Sequence, residues 1–355
     1  MSCRMLPIAI AVPLIAVAVS GCGSGQEPFG GPFDGPQPGG DPEVASERSD
    51  RLRQDLAASC LDDPSAHDTS QAPTDPIDAQ TPGASEVPGF GWLDPGPGTT
   101  AAEALETAVE GARSDLDLAV SVGVHDRGSG GTQLVGEQRT YPAASLSKLP
   151  VAMTFVHQLR EDDQELTEED HRLLEEALVR SDNDAASQLY TRLGASEPER
   201  TAALQETFDL LGTDNGAASD WPGADPTSAA DQLRIVDALQ DPPPWLDQED
   251  AELLTGLMAV PGADGRQPDE SQDFGVGSLA LPPDQAVAQD VHVKNGWIDD
   301  SYEGTGTWSA GSTGFARVDS ADLDLVIQLD GAPSYECAFS ALDAMAHVSA
   351  QTAGS

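Results

Sequence analysis

The 355-residue chain carries 61 acidic against 17 basic side chains, a formal net charge of −44 at pH 7. A surface of that sign repels nucleic-acid phosphates and anionic lipid head groups, which excludes nucleic-acid binding and peripheral electrostatic attachment to a membrane. The length suits one large domain or two small ones with an ample apolar core, and the excess of acid suits either work at high salt or a lineage composition without specific consequence.

The chain opens with Arg4 ahead of an apolar run, Met5 to Val19, that ends in small residues before Cys22. That run is short and interrupted by Pro7 and Pro13, so it predicts a cleavable signal peptide over residues 1–21 and not a membrane span. Its end, Val19-Ser20-Gly21-Cys22, resembles the lipobox of bacterial lipoproteins. The resemblance implies cleavage before Cys22, a lipid on its sulfur, and a location at the outer face of the cytoplasmic membrane, in the cell envelope. An ordinary secretory signal is the alternative.

Residues 22–98 are dense in Gly, Pro, Asp and Ser and cannot bury enough apolar surface to order themselves, so they predict an acidic, mostly disordered tether. Within it, Val44 to Cys60 can form one short helix. Of four cysteines, Cys3 and Cys22 fall in or beside the signal, leaving Cys60 and Cys337 as a disulfide candidate in an exported protein, with two free buried thiols as the alternative.

A packed domain is expected over 99–355. Thr100 and Glu103 make a capping box that opens a helix to about Ala112. Leu116, Leu118, Val120, Val122 and Val124 then alternate with polar or small residues, the period of a half-buried strand, and a Gly-rich turn leads to a second strand near Gln133 to Gly136. A helical middle runs from Ser145 to about Met258. Strand patterns return near His292, from Trp308 to Val318 and from Leu323 to Leu329, before a last helix over about Tyr335 to Ala350. Strands at both ends with helices between predict an α+β fold: an antiparallel sheet built from both ends of the domain, flanked by helices, with a helical subdomain inserted. No Cys/His spacing suits a metal and the six histidines are scattered, so neither metal nor other cofactor is expected.

The chain has two lysines, Lys148 and Lys294, while arginine supplies the other 15 basic residues. Arginine stays protonated at any accessible pH, whereas lysine is made neutral by burial or a neighbouring cation, so only lysine can serve as a base. Lys148 stands three residues after Ser145; on a helix starting there the two side chains share a face, and a neutral amine can take the proton that a serine hydroxyl must lose to become a nucleophile. Two more strings follow, Ser181-Asp182-Asn183 at a helix junction and Lys294-Asn295-Gly296-Trp297 after a short strand.

In this order, S-x-x-K, S-D-N and K-x-G resemble the three signatures of class A β-lactamases and penicillin-binding proteins, and the K-N-G-W form is similar to a variant among actinobacterial lipoprotein serine hydrolases. The resemblance spans roughly Thr100 to the C-terminus and implies a β-lactamase/transpeptidase-like fold. It implies Ser145 as acyl-enzyme nucleophile, Lys148 as base, Ser181 as proton relay to the leaving nitrogen, and Lys294 as the charge that binds a substrate carboxylate and depresses Lys148. Asn183 would hold substrate or Lys148, Asp182 would be a buried structural acceptor, and Asn295, Gly296 and Trp297 would line the substrate, with the backbone N–H groups of Ser145 and Trp297 as oxyanion hole. The partner implied is a small β-lactam or peptidoglycan-peptide-like substrate, met by a monomer.

Three departures qualify this. Ser145 and Ser181 are close in sequence, so the helical subdomain is trimmed. Asn295 replaces the usual threonine, although an amide still donates to a carboxylate. The segment Leu211 to Gly223 lacks the glutamate that activates the deacylating water in class A enzymes, leaving Asp214 or Asp220 as substitutes. The expectation is therefore an exported serine hydrolase that is acylated by β-lactams but deacylates poorly. A β-lactamase with an atypical deacylating residue and a catalytically silent envelope-binding lipoprotein are the alternatives.

Overall fold

The computed structural model describes residues 42–61, 89–96, 98–136, 139–260, 272–280, 286–299 and 306–352. The expected signal peptide, the lipidation site Cys22 and most of the tether lie outside them. The described chain begins with helix α1 (Pro42–Leu56), which ends in a single π turn (Ala57–Leu61). Helix α2 (Ala101–Leu116) starts from the capping box, with the Thr100 N–H donating to Glu103 Oε2 at 3.0 Å and the Glu103 N–H to Thr100 Oγ1 at 3.3 Å. Strands β1 (Ala119–Asp126) and β2 (Gly131–Gly136) form a hairpin, and β3 (Tyr141–Pro142) leads into the helical part.

That part holds α3 (Lys148–Glu161), α4 (Glu168–Leu178), α5 (Asn183–Arg192) and α6 (Glu197–Leu211). A two-residue strand β4 (Pro226–Thr227) pairs with β3, and α7 (Ala229–Gln240) and α8 (Gln248–Met258) complete it. The chain then returns through β5 (Gln289–Asp299), β6 (Trp308–Val318), β7 (Ala321–Ala332) and α9 (Tyr335–Gln351). The five-stranded sheet is antiparallel throughout in the order β2-β1-β7-β6-β5, so strands from both ends of the domain meet at β1 and β7, with Val122 opposite Ile327. The α+β architecture expected from the pattern is the one found.

Two cores divide the work. On one face of the sheet, Val120, Val122 and Val124 of β1 and Leu325, Ile327 and Leu329 of β7 pack with Leu105, Ala108 and Ala112 of α2 and Ala341, Leu342 and Met345 of α9. The second core lies among α3 to α8, where Leu149, Met153 and Val156 recur at helical spacing against Leu173, Leu178, Leu189 and Phe208. Each such side chain removed from water contributes about 1.5–3 kcal/mol before entropy is counted.

Two boundaries differ from the sequence reading. Leu116 belongs to α2, because Leu105, Ala108, Ala112 and Leu116 continue one buried helical stripe, and the strand begins only at Ala119 after Asp117 turns left-handed at φ 56°. The domain also starts well before residue 99. Leu52 and Leu56 of α1, and Phe90, Trp92 and Leu93 beyond it, are buried in the sheet-face core, and Cys60 is disulfide-bonded to Cys337 at the start of α9. A few apolar anchors and one cross-link thus hold segments whose average composition is that of a tether.

Candidate active site

Ser145 sits in a 3-10 turn, Ala144–Ser147, that runs directly into α3, whose first residue is Lys148. The turn is held from several sides. Ala144 adopts a positive φ of 46°, its carbonyl accepts from Ser147 Oγ at 2.7 Å, and the Ala143 N–H donates to the Asp225 carbonyl at 2.9 Å. Ser181, between α4 and α5, also has a positive φ, 55°. Non-glycine residues are seldom left-handed, and such strain concentrates where function fixes a side chain. Asp182 next to it caps α5 by accepting from the Ala185 N–H at 2.7 Å. It is exposed, not the buried acceptor expected, because a capping side chain at this junction faces solvent.

These elements bring both lysines to one hydroxyl. Lys148 Nζ lies 3.0 Å from Ser145 Oγ, 3.1 Å from Ser181 Oγ and 2.8 Å from Asn183 Oδ1, and it also meets the Ser181 carbonyl. Lys294 Nζ reaches Ser181 Oγ at 2.9 Å and the Asn295 carbonyl at 2.9 Å. Lys148 is 5 % exposed and Lys294 is 0 % exposed. Two of the Lys148 contacts, the Ser181 carbonyl and the Asn183 amide oxygen, have no hydrogen to give. A neutral amine satisfies them with its two N–H bonds and turns its lone pair toward the serine hydroxyls. Burial pushes the Lys148 amine down to about 8 against the opposing charge of Asp182.

Strand β5 presents Lys294 and Gly296 to this cluster. A Cβ on Gly296 would stand 2.7 Å from the Ser145 nitrogen and 2.8 Å from that of Leu146, and one on its partner Gly311 would stand 2.8 Å from Leu146 Cδ1. Glycine at both positions lets the nucleophile turn seat directly on the strand. Side chains alternate along a strand, so the neighbours of Lys294 and Gly296 face the opposite side. There the Asn295 amide donates to the Phe274 carbonyl at 2.9 Å and Trp297 meets the rings of Phe274 and Phe339. The side chains of Asn295 and Trp297 therefore do not line the cleft as expected. The backbone differs. Asn295 N–H and C=O point to the outer edge of β5, toward Gln272 and Lys294, and the two-residue period aims the Trp297 N–H the same way.

Asp214 is exposed and pairs with Arg234 at 3.0 Å, and Asp220 is exposed. The acid that is buried in this loop is Asp225, whose carboxyl burial pushes up to about 6. It lines a small cavity with Ala143, Ser147, Thr213, Thr227 and Gln232, next to the Ser145 turn. Sequence reasoning passed over Asp225, and only its place between Pro222-Gly223 and a helix cap hinted at burial. Among the described residues, one group of three or more His, Cys, Asp or Glu side chains, His125, Asp237 and Asp324, has its ligand atoms within 4.8 Å of one another. Arg127 already donates to Asp237 at 2.9 Å and Asp324 at 2.8 Å, making that group an ion network.

No protein-family model matches the chain. Over 222 residues, 62 % of the chain, it is 29 % identical to LppW of Mycobacterium tuberculosis and of Mycobacterium bovis, a protein named as a lipoprotein, and it spans 64 % of the length of these relatives. Similar solved structures include a class A β-lactamase from Bacteroides cellulosilyticus (TM-score 0.57, 16 % identity, 72 % of this chain and 98 % of that one). Others are a β-lactamase from Chitinophaga pinensis (0.58, 16 %, 72 % and 99 %) and PBP-A (0.54, 17 %, 70 % and 94 %). The fold of this chain is that of the class A β-lactamases and PBP-A, with distant sequence likeness to LppW.

Proposed function

We propose that the protein is an exported, lipid-anchored serine hydrolase that forms an acyl-enzyme on Ser145 with a cell-wall peptide, a β-lactam or a related amide or ester. The observation that carries this reading is the buried Lys148 amine in contact with the hydroxyls of both Ser145 and Ser181. In the first step the Ser145 hydroxyl gives its proton to neutral Lys148 as Oγ bonds to the substrate carbonyl carbon. The carbonyl oxygen takes the negative charge, met by the N–H groups of Ser145 and Trp297, each worth about 3 kcal/mol in comparable sites. As the carbon–nitrogen bond breaks, the Ser181 hydroxyl protonates the leaving nitrogen, and the proton held by Lys148 replaces it. Lys294 keeps Ser181 oriented and supplies positive potential for a substrate carboxylate. Export and a lipid on Cys22 agree with the lipoprotein name of LppW.

Acylation is expected to outrun hydrolysis. Asp214 and Asp220 are solvated, and the cavity beside Asp225 is lined by Ser147 and Ala143 but not by Ser145. A fluorescent penicillin tests the reading: wild-type protein takes a persistent label, Ser145→Ala none, and Lys148→Arg labels about 10²–10⁴-fold more slowly, the span of a lost general base. Labelling that survives Ser145→Ala contradicts the nucleophile, and rapid nitrocefin turnover contradicts poor deacylation.

A further inference from the structure

The stretch Gln272–Ala280, mostly irregular and ending in a 3-10 turn over Gly277–Ala280, lies against β5 beside the site. It holds the peptide next to Lys294 at two points: the Asn295 N–H donates to Gln272 Oε1 at 2.9 Å, and Asn295 Nδ2 donates to the Phe274 carbonyl at 2.9 Å. The carbonyl of the same residue receives Lys294 Nζ. On its outer side β5 is bridged by backbone at Ala259–His292, where the Val260 N–H donates to the Val291 carbonyl at 2.9 Å, and at Asn295 these side-chain bonds do what a sixth strand would do.

The stretch is itself braced from behind. The Gly275 N–H donates to Asp343 of α9 at 2.6 Å, the Val276 N–H to Ser312 Oγ at 2.9 Å, and Phe274 stacks on Phe339 with centroids 3.8 Å apart. The last brace comes from α1, where Arg48, 7 % exposed, donates through Nη2 to the Ser278 carbonyl at 2.6 Å across 230 residues of sequence. C-terminal to this contact, α1 is tied down by Leu52 and Leu56 in the core and by the Cys60–Cys337 disulfide that follows it.

We propose that α1 is a positioning element of the active site: Arg48 holds the Gln272–Ala280 bracket, the bracket holds the Asn295 peptide, and that peptide sets Lys294 against Ser181 and the Trp297 N–H against Ser145. The inference rests on the reading of Lys294 and Trp297 as parts of an acylating site. It assigns a role to a helix that lies ahead of the S-x-x-K, S-D-N and K-x-G strings. Displacement of a reacting group by about 1 Å costs about 10²-fold in rate, so a partial loosening is expected to cost about tenfold.

The full-length protein is compared with Arg48→Met, Arg48→Lys and Gln272→Leu by amide hydrogen exchange of the β5 peptide holding Asn295 and by the rate of labelling with a fluorescent penicillin. The account expects Arg48→Met to speed exchange at Asn295 about tenfold with β1 and β7 unchanged, to slow labelling about tenfold, and Arg48→Lys to restore most of both. Gln272→Leu, which leaves α1 docked, is expected to reproduce both effects and decides the question if Arg48→Met does not fold. Unchanged exchange at Asn295 in the folded variants, or a rise spread evenly over the whole sheet, overturns the proposal. Wild-type protein that takes no label sinks the serine-hydrolase reading, and the exchange measurement then still decides the role of α1.

Discussion

Lys148 is buried, and the loss of solvation that burial imposes on its charged form decides how the site depends on pH. Its pKa in the folded chain is pushed down to about 8, so the fraction able to take the Ser145 proton rises as pH passes from 7 to 9. Acylation rate is expected to climb about tenfold per unit below that midpoint and to level off above it, measured by stopped labelling across pH. Gly296 gives a second prediction. Alanine there meets main-chain nitrogens and not a movable side chain, so Gly296→Ala is expected to slow labelling by about 10²-fold or more, with near-native circular dichroism. That Ser145, Lys148, Ser181, Asn183 and Lys294 meet in one cluster was legible through the resemblance carried by the three strings in their order, the i, i+3 spacing alone pairing only Ser145 with Lys148. The facing of Asn295 and Trp297 was not, since strand register, and not the letters, decides which side a residue serves. Asp225 was hidden for a related reason: burial of a loop acid depends on what packs over the loop.

At the level of elements, the capping box of α2, the β1–β2 hairpin and the alternation of β7 were readable because local chemistry and tertiary packing agree there. Helix α1 was only half readable, since Leu52, Leu56, Arg48 and Cys60 anchor a segment whose other residues are polar. The Cys60–Cys337 bond closes a loop of 277 residues, and removing such a constraint on the unfolded chain costs about 5–6 kcal/mol in the entropic account. Cys60→Ser with Cys337→Ser is therefore expected to lower the melting temperature by about 10 °C under oxidising conditions and to leave the reduced protein unaffected. His347 of α9 supplies a pH test of the same docking. It accepts at Nε2 from Gln351 at 2.9 Å and lies 3.3 Å from Ser49 Oγ of α1, and burial pushes it down to about 4 from 6.5. The unfolded chain binds this proton between those values and the folded chain does not, so stability is full above 6.5 and is lost as pH falls toward 4. In urea melts His347→Gln is expected to flatten that acid limb; an unaltered slope shows that the imidazole is not buried neutral.

For the molecule as a whole, the charge of −44 has to be accommodated by solvent and counter-ions, because 17 basic residues cannot pair 61 acids. Salt at molar concentration shortens the screening length to about 3 Å and relieves that self-repulsion. The melting temperature is expected to rise by about 5 °C or more between 0.1 and 3 M KCl, and a flat response would leave the acidity as composition without consequence. None of this touches the central claim, that the Ser145 hydroxyl is activated by the amine at Lys148 beside Ser181 and Lys294 and becomes acylated. Mass spectrometry of the intact protein after exposure to benzylpenicillin, followed by peptide mapping, tests it most directly. The account predicts a gain equal to the whole penicillin, carried on the peptide holding Ser145, absent in Ser145→Ala and forming faster above pH 8 than below it. An adduct on another residue, or no adduct at any pH on folded protein, would contradict it.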